Sequence, residues 1–154
     1  MLKQFLTNQD IEDANYLTHK HIHPRYERHA IVDFTSKVNS TYSFYKLWNN
    51  KIVGYILTTP YVFGQVFPPN TEYEFSDKDN CLYIHDLFVE EIMRDHGFAK
   101  ELLNKVLYQN DTGKKKPLAV TAINSSEGFF RKFGFKTAFQ VPIGENVGCY
   151  MIRF

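Results

Sequence analysis

Residues 81–108, CLYIHDLFVEEIMRDHGFAKELLNKVLY, decide the fold. The stretch opens on a near-continuous apolar run, Leu82-Tyr83-Ile84 and then Leu87-Phe88-Val89, broken by the polar pair His85-Asp86. Arg94-Asp95-His96-Gly97-Phe98-Ala99 follows, and from Phe98 the apolar residues recur at helical spacing through Leu102 and Val106, with Leu103 and Leu107 widening the stripe. The pattern predicts a buried strand feeding a glycine-containing turn that opens a helix. The first turn of a helix carries unpaired N–H groups and the positive end of the dipole, a combination that attracts phosphate. A glycine at such a turn is by itself no more than a tight corner.

The composition bounds what surrounds this stretch. At 154 residues the chain is expected to be one domain, 1–154, long enough to bury a core. With 44% hydrophobic and 23% charged residues it reads as an ordinary globular protein, not a disordered one. Fourteen Phe and ten Tyr are more than a core of this size absorbs, so some are expected to line a pocket. A net charge of +1 gives no footprint for nucleic acid, and Lys114-Lys115-Lys116 reads as a solvated corner. Cys81 and Cys149 lie in apolar, strand-like runs without a C-x-x-C pair, which suits reduced structural thiols. The N-terminus turns acidic too early for a signal peptide, and no apolar run is long enough to span a membrane. The expectation is a soluble, cytoplasmic protein with neither membrane nor nucleic-acid partners.

Leu2–Leu6 reads as an edge or first strand, followed by a helix over Ile11, Ala14, Tyr16 and Leu17 capped by Thr7 or Asn8. His19, His21 and His23 alternate as metal ligands on a strand would, but Pro24 and the helical pattern before it argue for an exposed helix end, and no metal is expected. Residues 25–40 hold either a second helix or an irregular connection. Tyr42–Trp48 and Lys51–Leu57 form a hairpin on the Asn49-Asn50 turn. Residues 58–80 read as a long, aromatic, proline-rich loop, either a lid over an acceptor site or an aromatic packing flap. After the central strand and helix come a strand at Leu118–Ile123, a short helix in SEGFFRKFG stopped by Gly134, a strand at Phe135–Gln140 and a last strand at Gly148–Phe154. Strand, turn, helix and strand in succession imply a crossover and a partly parallel sheet, hence an α/β fold. The final strand, GCYMIRF, is expected to be exposed and able to pair with a second subunit as a homodimer.

The run Leu87-Phe88-Val89, then Arg94-x-x-Gly97-x-Ala99 and the Leu102-Leu103 pair, resembles the acyl-CoA-binding motif of the GNAT (Gcn5-related) N-acetyltransferase superfamily. Phe129-Phe130-Arg131-Lys132-Phe133-Gly134-Phe135 resembles that family's closing helix, usually Tyr-x-Lys-x-Gly-Phe. The resemblance spans roughly 40–154 and implies a mixed central sheet of six to seven strands flanked by about four helices. It implies acetyl-CoA as acyl donor, with Leu87, Phe88 and Val89 meeting pantetheine and Arg94, Asp95, His96, Gly97, Phe98, Ala99 and Lys100 forming the pyrophosphate loop. Asn124 would bond the pantetheine arm, and the closing helix with Phe129 and Phe130 would shield the thioester. The tyrosine that commonly protonates the leaving thiolate falls on Phe130, which has no proton to give. A thiol of pKa about 8.5 leaves readily without one, and water or Tyr83 can substitute.

An alkyl amine acceptor has a pKa near ~10.4, so a base is needed to drain its proton. His85 and Asp86 are the candidates, as the polar pair in an apolar strand; on a regular strand they point to opposite faces, and a bulge, common at this place in the family, would bring both to one. Their structural alternatives are a satisfied core histidine and a capped carboxylate. Tyr61, Tyr83 and Phe129 are the expected acceptor contacts, aromatic faces suiting an ammonium group. The expected activity is direct acetyl transfer from acetyl-CoA to a small-molecule amine, with peptide or protein N-acetylation and non-catalytic acyl-CoA binding as alternatives.

Overall fold

Asn49 and Asn50 both adopt positive φ (50° and 61°), the conformation a two-residue hairpin needs to match the twist of its strands. That turn joins the first two long strands of a computed structural model that describes residues 2–4, 42–67, 77–123 and 125–154. Numbered along the described chain, the strands are β1 (Leu2–Gln4), β2 (Phe44–Trp48), β3 (Lys51–Tyr61), β4 (Cys81–Val89), β5 (Leu118–Ala122), β6 (Lys136–Ile143) and β7 (Asn146–Arg153). The helices are α1 (Phe98–Thr112) and α2 (Glu127–Arg131), and a 3-10 turn spans Glu91–Met93. Among the described residues the strands form one sheet in the order β1-β2-β3-β4-β5-β7-β6. Only β4 and β5 run parallel, because α1 carries the chain back across the sheet between them. The α/β class and the mixed sheet expected from the sequence are what the structure has. The helix expected over Ile11 to Leu17, the 25–40 segment expected as a second helix or an irregular connection, and His19, His21 and His23 lie outside the described residues.

The apolar stripe of α1 packs as its spacing requires: Phe98, Leu102, Leu103, Val106 and Leu107 are all buried against Phe44, Val53, Ile56, Leu82, Ile84 and Val89 of the sheet. A second, smaller cluster on the opposite face joins Tyr61, Phe67, Cys81, Tyr83, Ala119 and Tyr150. The carboxamide of Asn110 accepts from Lys116 N–H (3.1 Å) and donates to Lys116 C=O (2.8 Å), fixing the end of α1 to the entrance of β5. Arg153 ties the same region to β7, donating to both carboxylate oxygens of Asp111 at 3.2 Å and to Phe133 C=O at 3.0 Å.

Two expectations are corrected. The last strand is not exposed at an edge: β7 lies between β5 and β6, so among the described residues the edges are β1 and β6, and both sides of GCYMIRF are taken within the chain. Sequence order alone does not reveal that the final hairpin inserts its second strand. Nor do Thr58–Tyr61 belong to a loop, since β3 continues through them despite Pro60. Pro60 faces Leu82, whose N–H goes to Pro117 C=O on the far side, so the proline's missing donor points toward β2. There the β2 ladder has already ended at Phe44 and Ile56, so among the described residues no ladder bond is lost.

Arg153 holds the Asp111 carboxyl below its ordinary range, chiefly by hydrogen bonding. A depressed folded-state pKa contributes stability above the unfolded value, about 3.9, that disappears as pH falls through the folded one. The difference in urea midpoint between wild type and Asp111→Asn is therefore expected at pH 7 and should close as the pH falls through the depressed folded-state value. A difference unchanged down to that pH would show that the pair contributes no charge-linked stability.

Candidate active site

Strand β4 carries one residue more than β3 accommodates. Leu57 pairs with Asp86 and Thr58 with Ile84, leaving His85 as a bulge. Before the bulge, Leu82 and Ile84 face α1; after it, Leu87 and Val89 do. His85 and Asp86 therefore share the face opposite α1. There the His85 ring meets Phe67 edge-on at 5.0 Å, and Asp86 accepts a 2.9 Å hydrogen bond from the Tyr55 hydroxyl. The bulge foreseen as the condition for bringing both residues to one face is present.

The bulge also changes which backbone groups look toward β5. Upstream, Leu82 N–H points that way, bonding Pro117 C=O. Downstream, Glu90 N–H bonds Val53 C=O on β3, so by alternation Asp86 and Phe88 address β3 while Leu87 and Val89 address the β5 side. The β4–β5 ladder stops at Ile84 and Val120, although β4 runs on to Val89. Beyond that point the amides of Leu87 and Val89 have no ladder partner on β5. Val89 C=O is occupied by Arg94 Nε at 3.2 Å.

At this end of β4 lies a pocket of about 290 Å³ lined by Val89, Met93, Arg94, Asp95, residues Gly97 to Lys100, and Phe129. Asp95 and Gly97 both take positive φ (69° and 75°), folding the turn sharply onto the start of α1. Gly97 is the N-cap and no side chain caps the helix, so the first-turn amides have no capping partner from the N-cap residue. The His96 ring turns back on its own loop, its Nδ1 within 3.2 Å of Met93 C=O and 3.1 Å of Arg94 C=O.

A family model for the acetyltransferase (GNAT) domain matches residues 7–153. The chain belongs to the GNAT acetyltransferase family. No curated protein matches the sequence. Among solved structures, Arabidopsis thaliana Naa50 in complex with the bisubstrate analogue CoA-Ac-MVNAL superposes with a TM-score of 0.71 at 18% identity, covering 99% of this chain and 95% of that one. The Escherichia coli GNAT family N-acetyltransferase YhbS in complex with CoA gives 0.73 at 15% identity over 99% and 79%. The loading GNATL domain of CurA from Lyngbya majuscula gives 0.78 at 12% over 99% and 96%. At these identities the likeness is one of fold.

Within this GNAT domain, the structure gathers Val89, Arg94, Asp95, Gly97, Phe98, Ala99 and Lys100 around one pocket. Phe88 stands apart: it is buried on the other face, its ring 5.8 Å from Tyr55. Phe129 lies in the wall beside the 93–100 turn, whereas Phe130 is buried in the core against Phe129 and Phe135. Tyr61 and Tyr83 sit in the small aromatic cluster, away from the pocket. The Tyr83 hydroxyl bonds Thr121 Oγ1 across the parallel pair, and burial raises the Tyr61 phenol above its usual pKa. Asn124 lies outside the described residues. Met93 and Tyr55 were missed; an apolar residue directly before Arg94 is the only local signal for the first, and none exists for the second. Burial pushes the Cys81 thiol up to about 12, as suits a structural cysteine.

A Cβ at Gly97 would meet no atom within 4 Å, so Gly97→Ala tests backbone conformation alone. The left-handed φ should cost it about 1 kcal/mol in chemical denaturation. Unchanged stability would mean that the turn does not need this conformation.

Proposed function

We propose that this GNAT N-acetyltransferase takes acetyl-CoA as donor and transfers the acetyl group directly to the amine of a small molecule. The observation that carries the donor assignment is the end of the β4–β5 ladder at Ile84 and Val120, beyond which Val89 of β4 lines a pocket at an uncapped helix start. Such a start suits a diphosphate, because its amides and dipole both favour anions. Arg94 and Lys100 add positive charge to the pocket wall. The pantetheine arm would run along β4 as a substitute strand, using Leu87 and Val89 where β5 no longer pairs. Their N–H groups are then the donors available to the thioester carbonyl, and stabilisation of a tetrahedral oxyanion by such a donor contributes roughly 10²–10³-fold.

Proton removal falls to the bulge pair. The acceptor amine, with pKa near ~10.4, must lose a proton before attack; a positioned base contributes about 10²–10⁴-fold. Asp86 accepts the 2.9 Å hydrogen bond of the Tyr55 hydroxyl, and His85 is adjacent in the same bulge. The amine nitrogen bonds the acetyl carbon, the oxyanion collapses, and the C–S bond breaks to release CoA thiolate, which takes up the proton through solvent. Phe130 supplies no acid, and a thiol of pKa about 8.5 requires little help. A compact acceptor is supported by the segment after β3: Phe67 covers Tyr83 and His85, and Gly64 N–H is pinned to the Tyr150 hydroxyl at 2.8 Å. That cover narrows the face next to the bulge.

Thiol release from acetyl-CoA across matched panels of free amines and N-terminal peptides tests the reading. Turnover with free amines is expected, falling about 10²-fold or more in Asp86→Asn or His85→Ala with the acetyl-CoA KM little changed. Acetylation confined to peptides would replace the small-molecule acceptor with a protein one. Equal activity in both variants would remove the bulge from proton transfer.

A further inference from the structure

Lys46 is an anomaly. It sits on β2 at 7% exposure, and a lysine so deeply covered is uncommon unless it is paired. Its ammonium lies 3.0 Å from the Glu101 carboxylate and 4.9 Å from the centre of the Phe98 ring. Both partners belong to the first turn of α1, the turn whose amides border the 290 Å³ pocket. Trp48, from the same strand, backs the opposite side of that contact with its ring 5.7 Å from Phe98.

Glu101 is the difficulty that Lys46 addresses. Side chains in a helix lean toward its N-terminus, and a carboxylate in the first turn is drawn to the same partial positive charge that would hold a phosphate. Left alone, it would compete with an anionic ligand and repel it. At the effective dielectric near a protein surface, two unit charges roughly 12 Å apart change affinity on the order of tenfold, and nearer charges by more. Burying an ammonium costs solvation and rotamer freedom, so an unneeded lysine would be poorly placed here.

We propose that Lys46 is a positioning residue for the donor site: by neutralising and holding Glu101 it keeps the start of α1 electropositive, and so sets affinity for the diphosphate of the acyl-CoA donor. This rests on the acetyl-CoA reading above. The pair acts from outside the pocket, since neither Lys46 nor Glu101 lines it.

Four proteins test it: wild type, Lys46→Met, Glu101→Gln and the double variant, each compared for CoA dissociation constant by calorimetry, KM for acetyl-CoA and kcat. Lys46→Met should weaken CoA on the order of tenfold in dilute buffer, with kcat within about twofold, and the defect should shrink at 0.5 M salt because exposed charges are then screened. Glu101→Gln should bind CoA a few-fold more tightly than wild type, a result that no loss of packing would produce. The double variant should return close to wild type. A double variant as weak as Lys46→Met, or a Glu101→Gln that binds no tighter, overturns the proposal. Should Lys46→Met fail to fold, Glu101→Gln alone decides, since that side chain is 41% exposed. Wild type that binds no CoA would remove the donor reading itself, and this inference with it.

Discussion

One extra residue in β4 governs the rest. With His85 inserted as a bulge between the pairs Leu57–Asp86 and Thr58–Ile84, the strand changes phase halfway along its length, and two consequences follow from the same displacement. His85 and Asp86 arrive together on the face opposite α1, and Leu87 and Val89 present their backbone groups where β5 has ceased to pair. A regular strand would have sent one of the polar residues into the apolar contact with α1. Burying an unpaired ionisable group costs several kcal/mol, so the bulge removes a fault in the core as well as arranging a site.

The other end of the same strand shapes the proposed donor pocket, beginning with the local turn. Two residues with positive φ, Asp95 and Gly97, turn the chain so tightly that α1 begins directly beside the end of β4. The Arg94 side chain occupies Val89 C=O, and the His96 ring faces the carbonyls of Met93 and Arg94. These contacts consume acceptors in the loop, while the N–H groups of Met93 and Arg94 are taken by Glu90 and Glu91 C=O. Lys46, reaching across from β2, then balances the one carboxylate in the first turn of the helix. In the proposed reading the groups that meet a charged donor come from β2, β4, the turn after it and α1, which is why the parts are remote in sequence.

Much of this was legible in the chain, and the reasons are specific. Strand β4, the turn and α1 announce themselves because their apolar residues change period from two to about 3.6 at Gly97, and the buried set Phe98, Leu102, Leu103, Val106 and Leu107 is the one that spacing demands. The Asn-Asn hairpin is equally local. What stayed hidden depends on register and on neighbours. Pro60 looked like the end of a strand because nothing in the sequence says where β2 stops. Gly54 gave no sign that it lies against β4, where a Cβ would come 2.9 Å from Phe88 C=O. The closing helix was recognised, but which of Phe129 and Phe130 turns outward depends on how that short helix rests on β7, and the structure sends Phe129 to the pocket. Tyr55 and Lys46 are remote from the motif in sequence and meet it only through the sheet.

Amide hydrogen exchange with and without CoA addresses the central claim most directly. If β4 receives the pantetheine arm as a substitute strand beyond the end of its ladder with β5, the N–H groups of Leu87 and Val89 should gain protection on binding, by ten-fold or more, while Phe88, already directed at β3, stays as it was. Protection at Phe88 instead, or none at Leu87 and Val89 in a protein that demonstrably binds CoA, would contradict the account.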